Sequence, residues 1–122
     1  MEPVEINAGT WYLRALRCDE RITDVPALSL LGVDDPTRVV AAADAGWAAE
    51  SLFVWAVCVP TTGELVALIG ITPDGPTGHL WGATRDGFDD ALRTAEPPVR
   101  RFADGALGLS VSKPLTPTMP AF

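Results

Sequence analysis

The stretch FVWAVCVPTTGELVALIGI, residues 53–71, decides the fold, because it holds two apolar runs separated by a short turn. In FVWAVCV (53–59) and LVALIGI (65–71), residues on both faces of the strand are apolar, which is typical of central strands covered from both sides. The intervening PTTGE (60–64) carries the proline and glycine of a turn. The stretch therefore predicts a β-hairpin at the centre of a sheet.

Patterns on both sides of this hairpin extend the sheet and supply helices. TWYLRALR (10–17) alternates between two faces and predicts a strand near an edge. HLWGAT (79–84) predicts a further short strand, which follows the turn at 72–78. Helices are predicted over 21–32 and 37–52, because capping residues and an early proline precede an apolar stripe in each.

The last third of the chain combines a helical stripe with residues that interrupt helices. Steps of four and three predict a helix whose apolar face holds Phe88, Leu92, Ala95, Val99, Phe102 and Ala106. Pro97 and Pro98 interrupt the stripe, so we expect either two helices in tandem or one sharply kinked helix. A short strand is predicted at 109–112, and the proline-rich residues 113–122 are predicted to be a tail outside a domain of residues 1–112.

Composition and charge exclude several classes of protein. With 122 residues and 48% apolar residues, the chain fits one globular domain and does not fit a disordered protein. The net charge of −7 arises entirely within residues 1–84, so a basic face for nucleic acid is not expected. No apolar run is long enough to span a membrane, and the first ten residues lack a signal-peptide pattern. Cys18 and Cys58 have no metal-ligand spacing, which indicates free thiols in a cytoplasmic protein without a metal.

The order of these segments resembles the GNAT acetyltransferase superfamily over residues 10–111, most closely its bacterial members. WYLRALR followed by DVPAL is similar to the family's first strand and helix, and TGEL (62–65) to its hairpin turn. ALRTAEPPVRRFADGALGLSV (91–111) is similar to the long cofactor helix and the start of the fifth strand. The resemblance implies an α/β (α+β) fold. It consists of a mostly antiparallel central sheet with helices on both faces, without the family's C-terminal strands.

This resemblance implies acetyl-CoA as cofactor and a small-molecule or peptide amine as acceptor. In the superfamily, a glycine-rich turn of the form Gln/Arg-x-x-Gly-x-Gly/Ala holds the pyrophosphate through backbone N–H groups at a helix start. The thioester enters where the fourth and fifth strands splay apart. The matching segment here is TRDGFDDA (84–91), so Arg85, Gly87 and Phe88 are the candidate cofactor-binding residues.

The segment departs from the family pattern in its glycines and its charge. No glycine lies three positions after Arg85, and Asp86, Asp89 and Asp90 crowd the helix start. Three carboxylates there would repel a pyrophosphate, and we expect them to cap the helix themselves. The cofactor turn is therefore interpreted as degenerate, with weakened acetyl-CoA binding.

Catalytic groups are not indicated clearly. No acidic residue lies on 79–84, and Tyr12 is the sole tyrosine, so neither a catalytic carboxylate nor a tyrosine acid is carried over. His79 is the remaining candidate base, since an unperturbed imidazole titrates near neutral pH. The unfinished side of the sheet implies a homodimer or a tail that covers the edge.

Three functional hypotheses follow from these observations. The first is a protein of the acetyl-CoA-dependent N-acetyltransferase lineage. The second is a non-catalytic binding or regulatory protein on the same scaffold. The third is an acidic interaction protein that docks a basic partner.

Overall fold

The computed structural model describes all of residues 1–122 and contains one five-stranded antiparallel sheet. The strands follow one another across the sheet in chain order. They are β1 (Ile6–Ala8), β2 (Trp11–Arg14), β3 (Phe53–Cys58), β4 (Leu65–Asp74) and β5 (Thr77–Thr84). The helices are α1 (Val25–Leu30), α2 (Pro36–Ala49) and α3 (Asp89–Phe102).

The predicted hairpin forms the centre of the sheet. Every residue of β3 is buried, as are the first seven residues of β4. Phe53 pairs with Ile71 at one end, and the register shifts by a bulge between Val57 and Cys58 at the other. Because both faces of these strands are covered, their side chains are apolar on both sides, which is the pattern read from the sequence.

The first two helices pack together on one face of the sheet. α1 is shorter than predicted, whereas α2 matches the predicted helix closely and has Pro36 in its first turn. The side chain of Asp35 caps α2 by accepting a hydrogen bond from the Arg38 N–H at 3.2 Å. Glu50 ends α2 in the left-handed conformation, with φ of 56°.

Of the two alternatives predicted for the third helix, two helices in tandem or one kinked helix, the structure excludes the first. α3 is one continuous helix of 14 residues with Pro97 and Pro98 inside it. A π-helical turn, Ala103–Leu107, continues it until Gly108 ends the turn in the left-handed conformation. The prolines are tolerated because the buried side chains on either side of them, Ala95 and Val99, hold the helix against the sheet.

Two apolar cores lie on opposite faces of the sheet. The α3-side core contains Trp55 and Ile69 from the strands and Ala91, Ala95 and Val99 from the helix. The α2-side core joins residues of the same two strands to the first two helices: Leu28, Val39, Ala43, Val54 and Leu68. The predicted antiparallel sheet with helices on both faces is therefore confirmed.

Residues 109–122 form no regular strand and contact β5 at separate points. They make two isolated parallel bridges with it, Thr77 with Ser110 and Trp81 with Thr116. Phe122 meets the Trp81 indole edge-on, with ring centroids 5.8 Å apart. Within the predicted tail 113–122, Thr116 and Phe122 thus contact the sheet at Trp81 of β5.

Candidate functional site

The largest cavity is a cleft of about 590 Å³ between β5, α3 and the C-terminal segment. Its floor is the end of β5, Gly82 to Thr84, and one wall is the exposed side of the first turns of α3. The opposite wall is formed by Leu31, which follows α1, and by Leu115, Pro117 and Met119 of the C-terminal segment. We refer to this cavity as the cleft.

Gly82 allows α3 to lie close to the floor of the cleft. A Cβ atom at this position would lie 2.6 Å from the Cδ1 atom of Leu92 and 3.0 Å from the Leu68 carbonyl oxygen. A larger residue would therefore force the Leu92 side chain to shift.

The turn that contains the candidate cofactor-binding residues lies at the mouth of the cleft. β5 ends at Thr84, and the Phe88 N–H donates back to the Arg85 carbonyl at 3.1 Å to close the turn. Gly87 has a φ of 87°, in the region where a side chain is strained. Arg85, Gly87 and Phe88 are thus brought together as one turn before α3, but none of them lines the cleft itself.

The helix start differs from the prediction that the carboxylates cap it. Phe88 occupies the N-cap position, and no side chain accepts a hydrogen bond from the backbone N–H groups there. Asp89 Oδ1 instead accepts a hydrogen bond from the Thr84 hydroxyl at 3.0 Å, on the cleft side. Asp89 and Asp90 therefore act on the helix start through charge alone, and the capping prediction was wrong.

The Arg85 side chain interacts with neighbouring residues of the fold. Its guanidinium forms an ion pair with Glu64 of the β3–β4 turn. It also lies over the Phe88 ring, 5.5 Å from the centroid, while Phe88 meets Trp11 edge-on at 6.4 Å. An anionic ligand at this turn would compete with Glu64 for the guanidinium.

The polar residues of the cleft lie on one face of α3. Asp89, Arg93 and Glu96 are spaced by four and three residues, so they follow one another along the helix. Glu96 accepts a hydrogen bond from Arg100 Nε at 2.9 Å. The cleft thus combines two carboxylates and one guanidinium with an apolar opposite wall.

His79 is not part of this arrangement. It is exposed on β5, opposite Thr72, and lines neither the cleft nor the other larger cavities. The structure does not bring it together with the candidate cofactor turn. No histidine, tyrosine or cysteine lines the cleft.

The two thiols lie elsewhere in the fold. Cys58 is fully buried in β3, and burial raises the pKa of its thiol to about 12. Cys18 is exposed, and its sulfur accepts a hydrogen bond from the Thr23 hydroxyl at 3.8 Å. No cluster of three potential metal-ligating side chains occurs, and none of the helices has both the length and the apolar character needed to cross a bilayer.

Two residues in or beside the cleft were not found from the sequence. Leu92 was predicted as a core position, whereas Glu96, which lines the cleft, and Thr116, which lies beside it, carried no pattern that pointed to a site. Arg100 donates to the carbonyls of Val111 and Lys113 at 3.0 and 2.9 Å, which holds the C-terminal segment beside the cleft. Such contacts between a helix and a proline-rich segment leave no periodic signal in the sequence.

Two solved structures of proteins described as acetyltransferases have a fold similar to that of this chain. An acetyltransferase from Agrobacterium tumefaciens is similar over 87% of this chain and 70% of its own, with a TM-score of 0.61 and 19% identity. A Sphaerobacter thermophilus protein described as an acetyltransferase is similar over 91% of this chain and 69% of its own, with a TM-score of 0.59 and 17% identity. No family model and no curated protein sequence matches the chain. The fold is GNAT-like, as the sequence resemblance implied.

Proposed function

We propose that this chain, given its GNAT-like fold, is a non-catalytic binding protein whose cleft no longer holds acetyl-CoA in the manner of an acetyltransferase. One observation carries the proposal. Asp89 and Asp90 occupy the first turn of α3, and the Asp89 carboxylate is fixed toward the cleft by the Thr84 hydroxyl. These residues stand where a cofactor pyrophosphate would bind.

The carboxylates in the first turn of α3 would repel a bound pyrophosphate. Two like unit charges about 4 Å apart repel by about 1 kcal/mol in bulk water and by about 4 kcal/mol near a protein surface. The N-terminal dipole of α3 attracts an anion by only about 0.3–1 kcal/mol at an exposed site. Because two carboxylates share the first turn, repulsion of a pyrophosphate exceeds the attraction that the helix offers.

The chemistry of the cleft supports the same proposal. Its titratable side chains are Asp89, Arg93 and Glu96, and Glu96 is already hydrogen-bonded to Arg100. The candidate base His79 is exposed and lies outside the cleft. A carboxylate-bearing cleft with an apolar wall favours a cationic ligand with an apolar body over a nucleotide.

Calorimetric titration with acetyl-CoA and with CoA tests the proposal. The wild-type chain is expected to give no saturable binding at about 1 mM ligand. A complex with a weak Kd on the order of 1 mM would be detected at that concentration. The double variant Asp89→Asn with Asp90→Asn is expected to bind at least about tenfold more tightly, since removing about 1.4 kcal/mol of repulsion corresponds to that factor. Asp44→Asn, an exposed carboxylate on α2, is the matched control and should change nothing. Micromolar binding by the wild-type chain would overturn the proposal.

An acetyl-CoA-dependent N-acetyltransferase is the second candidate, and the open start of α3 favours it. No side chain caps this helix, so backbone N–H groups near Gly87 can donate to an anion. The acceptor would be a small-molecule or peptide amine, with His79 as the candidate base. Mass spectrometry of free CoA released in the presence of amines tests this candidate. Turnover that is lost in the His79→Ala variant would favour it over the non-catalytic proposal.

A further inference from the structure

The C-terminal residues 109–122, which we call the strap, run parallel to β5 and meet it at two separate points. At the first point Gly78 N–H donates to the Ser110 carbonyl at 3.0 Å. At the second, Thr116 N–H donates to the Leu80 carbonyl at 2.9 Å and its carbonyl accepts from Gly82 N–H at 3.0 Å. β5 advances four residues between the two bridges and the strap advances six, so the strap bulges away from β5 between them.

The strap makes fewer backbone hydrogen bonds with β5 than β4 does, and it is otherwise held by apolar packing of Leu109, Leu115 and Phe122 against the two cores. β4 and β5 pair through eight consecutive residues, whereas the strap pairs with β5 only at its two bridges. Arg100 holds the bulge through the carbonyls of Val111 and Lys113. At its other end, the strap leaves α3 through Gly108, whose φ of 64° marks a sharp turn.

The strap also forms a wall of the cleft. Leu115, Pro117 and Met119 line the cleft on the side opposite α3, and Leu115 and Met119 also pack against the α3-side and α2-side cores, respectively. Thr116 lies between Leu115 and Pro117, and its backbone is hydrogen-bonded to the Leu80 carbonyl and to the Gly82 N–H. This acceptor and donor would otherwise face the cleft as an unpaired sheet edge.

We propose that the strap is a displaceable gate, which occupies the β5 edge at Leu80 and Gly82 and exposes that edge when it is released. The proposal rests on the proposed function in one respect, which is that the cleft is the ligand site. A ligand with an extended amide group could then replace Thr116, because the strap itself pairs there through one N–H and one carbonyl. Opening of the strap and occupation of the cleft by such a ligand are coupled.

Amide hydrogen exchange of the full-length chain tests the gate without any ligand. The amides of Thr116 and Gly82 are expected to exchange together, at least about 100-fold faster than the amides that pair β3 with β4, because local opening costs less than global unfolding. Exchange of Thr116 and Gly82 at the rate of the central strands would overturn the proposal, since the strap would then open only when the whole domain unfolds.

Substitutions at Thr116 and Arg100 test the role of the fastening contacts. Thr116→Pro removes the N–H donated to Leu80, while Thr116→Ala keeps both backbone groups and serves as the matched control. We expect Gly82 exchange to accelerate at least about tenfold in Thr116→Pro and in Arg100→Gln, with the β3–β4 amides unchanged. Unchanged Gly82 exchange in both variants would overturn the gate.

Titration of the same variants with acetyl-CoA separates the gate from the proposed function. Binding by Thr116→Pro but not by Thr116→Ala supports the gate and contradicts the proposed rejection of acetyl-CoA. Wild-type binding that leaves Gly82 exchange unaltered contradicts both. If no variant binds acetyl-CoA, the proposed function is supported, and the exchange rates alone decide on the gate.

Discussion

Arg14 is a charged residue buried inside the domain, with 5% of its surface exposed, and Asp24 beside it is 2% exposed. The guanidinium donates to both carboxylate oxygens of Asp24, at 2.9 and 2.8 Å, and to the Gly63 carbonyl at 3.0 Å. Asp24 also accepts from the Arg17 N–H at 2.7 Å. The pair therefore ties β2 to the start of α1 and to the β3–β4 turn.

Removal of the Asp24 charge should destabilise the fold strongly. Asp24→Asn leaves the buried guanidinium of Arg14 without a counter-charge, and breaking such a pair costs about 3–5 kcal/mol. The free energy of unfolding from urea titration is the measurement, with exposed Asp44→Asn as the control expected to stay within about 0.5 kcal/mol. A loss below about 1 kcal/mol for Asp24→Asn would show that water reaches the pair.

Cys58 should make stability fall at alkaline pH. Because burial raises its pKa from 9.0 to about 12, the folded state retains the thiol proton that the unfolded state loses. The contribution is complete below pH 9 and is lost as the pH rises toward about 12. Thermal melts between pH 8 and 11 should therefore show a smaller decline for Cys58→Ala than for the wild-type chain. Equal slopes would contradict the assigned role of the thiol.

At the scale of elements, α3 carries an internal cost at its prolines. Pro97 and Pro98 lack the N–H groups that would donate to the carbonyls one turn earlier, and a proline within a helix costs about 3 kcal/mol. Proline also restricts the unfolded chain, so less entropy is lost on folding, and this offsets about 0.4–1 kcal/mol of the cost in the helix. α3 therefore depends on its packing against the sheet.

Pro97→Ala should stabilise the domain by about 1–3 kcal/mol, since it restores one helical hydrogen bond at an exposed position. Differential scanning calorimetry would detect this as a higher Tm. Pro36→Ala is the matched control, because Pro36 lies in the first turn of α2, where no hydrogen bond is lost. A lower Tm for Pro97→Ala would mean that the prolines shape the helix for its packing.

The elements differ in how well the sequence predicts them. β3 and β4 were predicted within a few residues, because central strands require apolar residues on both faces. β1 was missed, since its three residues include polar Asn7 and are too few for a period to be recognised. α3 was predicted either as two helices or as one kinked helix because local proline chemistry is visible in the sequence, whereas the compensating burial of Ala95 and Val99 is a tertiary property.

At the scale of the whole molecule, the same two strands build both cores. Trp55 and Ile69 point to the α3 side, and Val54 and Leu68 to the α2 side. Trp47 of α2 also reaches the α3-side core, with its ring 5.0 Å from that of Trp55 and edge-on to it. The two cores are therefore linked through these shared strands and through Trp47.

The domain should therefore unfold in a single cooperative step. Tryptophan fluorescence, which reports on both cores, and far-ultraviolet circular dichroism should give coincident urea transitions. Separate midpoints for the two signals would show that the helices on one face detach independently.

The candidate site was predicted less completely than the fold. The turn at Arg85 and Gly87 was located from its resemblance to a family motif, and it does lie before α3 at the mouth of the cleft. The contacts that shape the cleft, such as Arg100 with Val111, join residues without a recognisable spacing. The role of Asp89 as a partner of Thr84 depends on rotamers, which the sequence alone does not specify.

The order of the strands has a consequence for how the chain folds. β4 and β5 are joined by a short turn and can pair rapidly, but Tyr12 must find Cys58 across the whole segment that carries α1 and α2. Closing this long loop costs chain entropy, and contacts between β2 and β3 compensate for that cost only after the loop has closed. We expect the docking of β2 against β3 to limit the refolding rate, with the buried ion pair of Arg14 formed after the barrier is crossed.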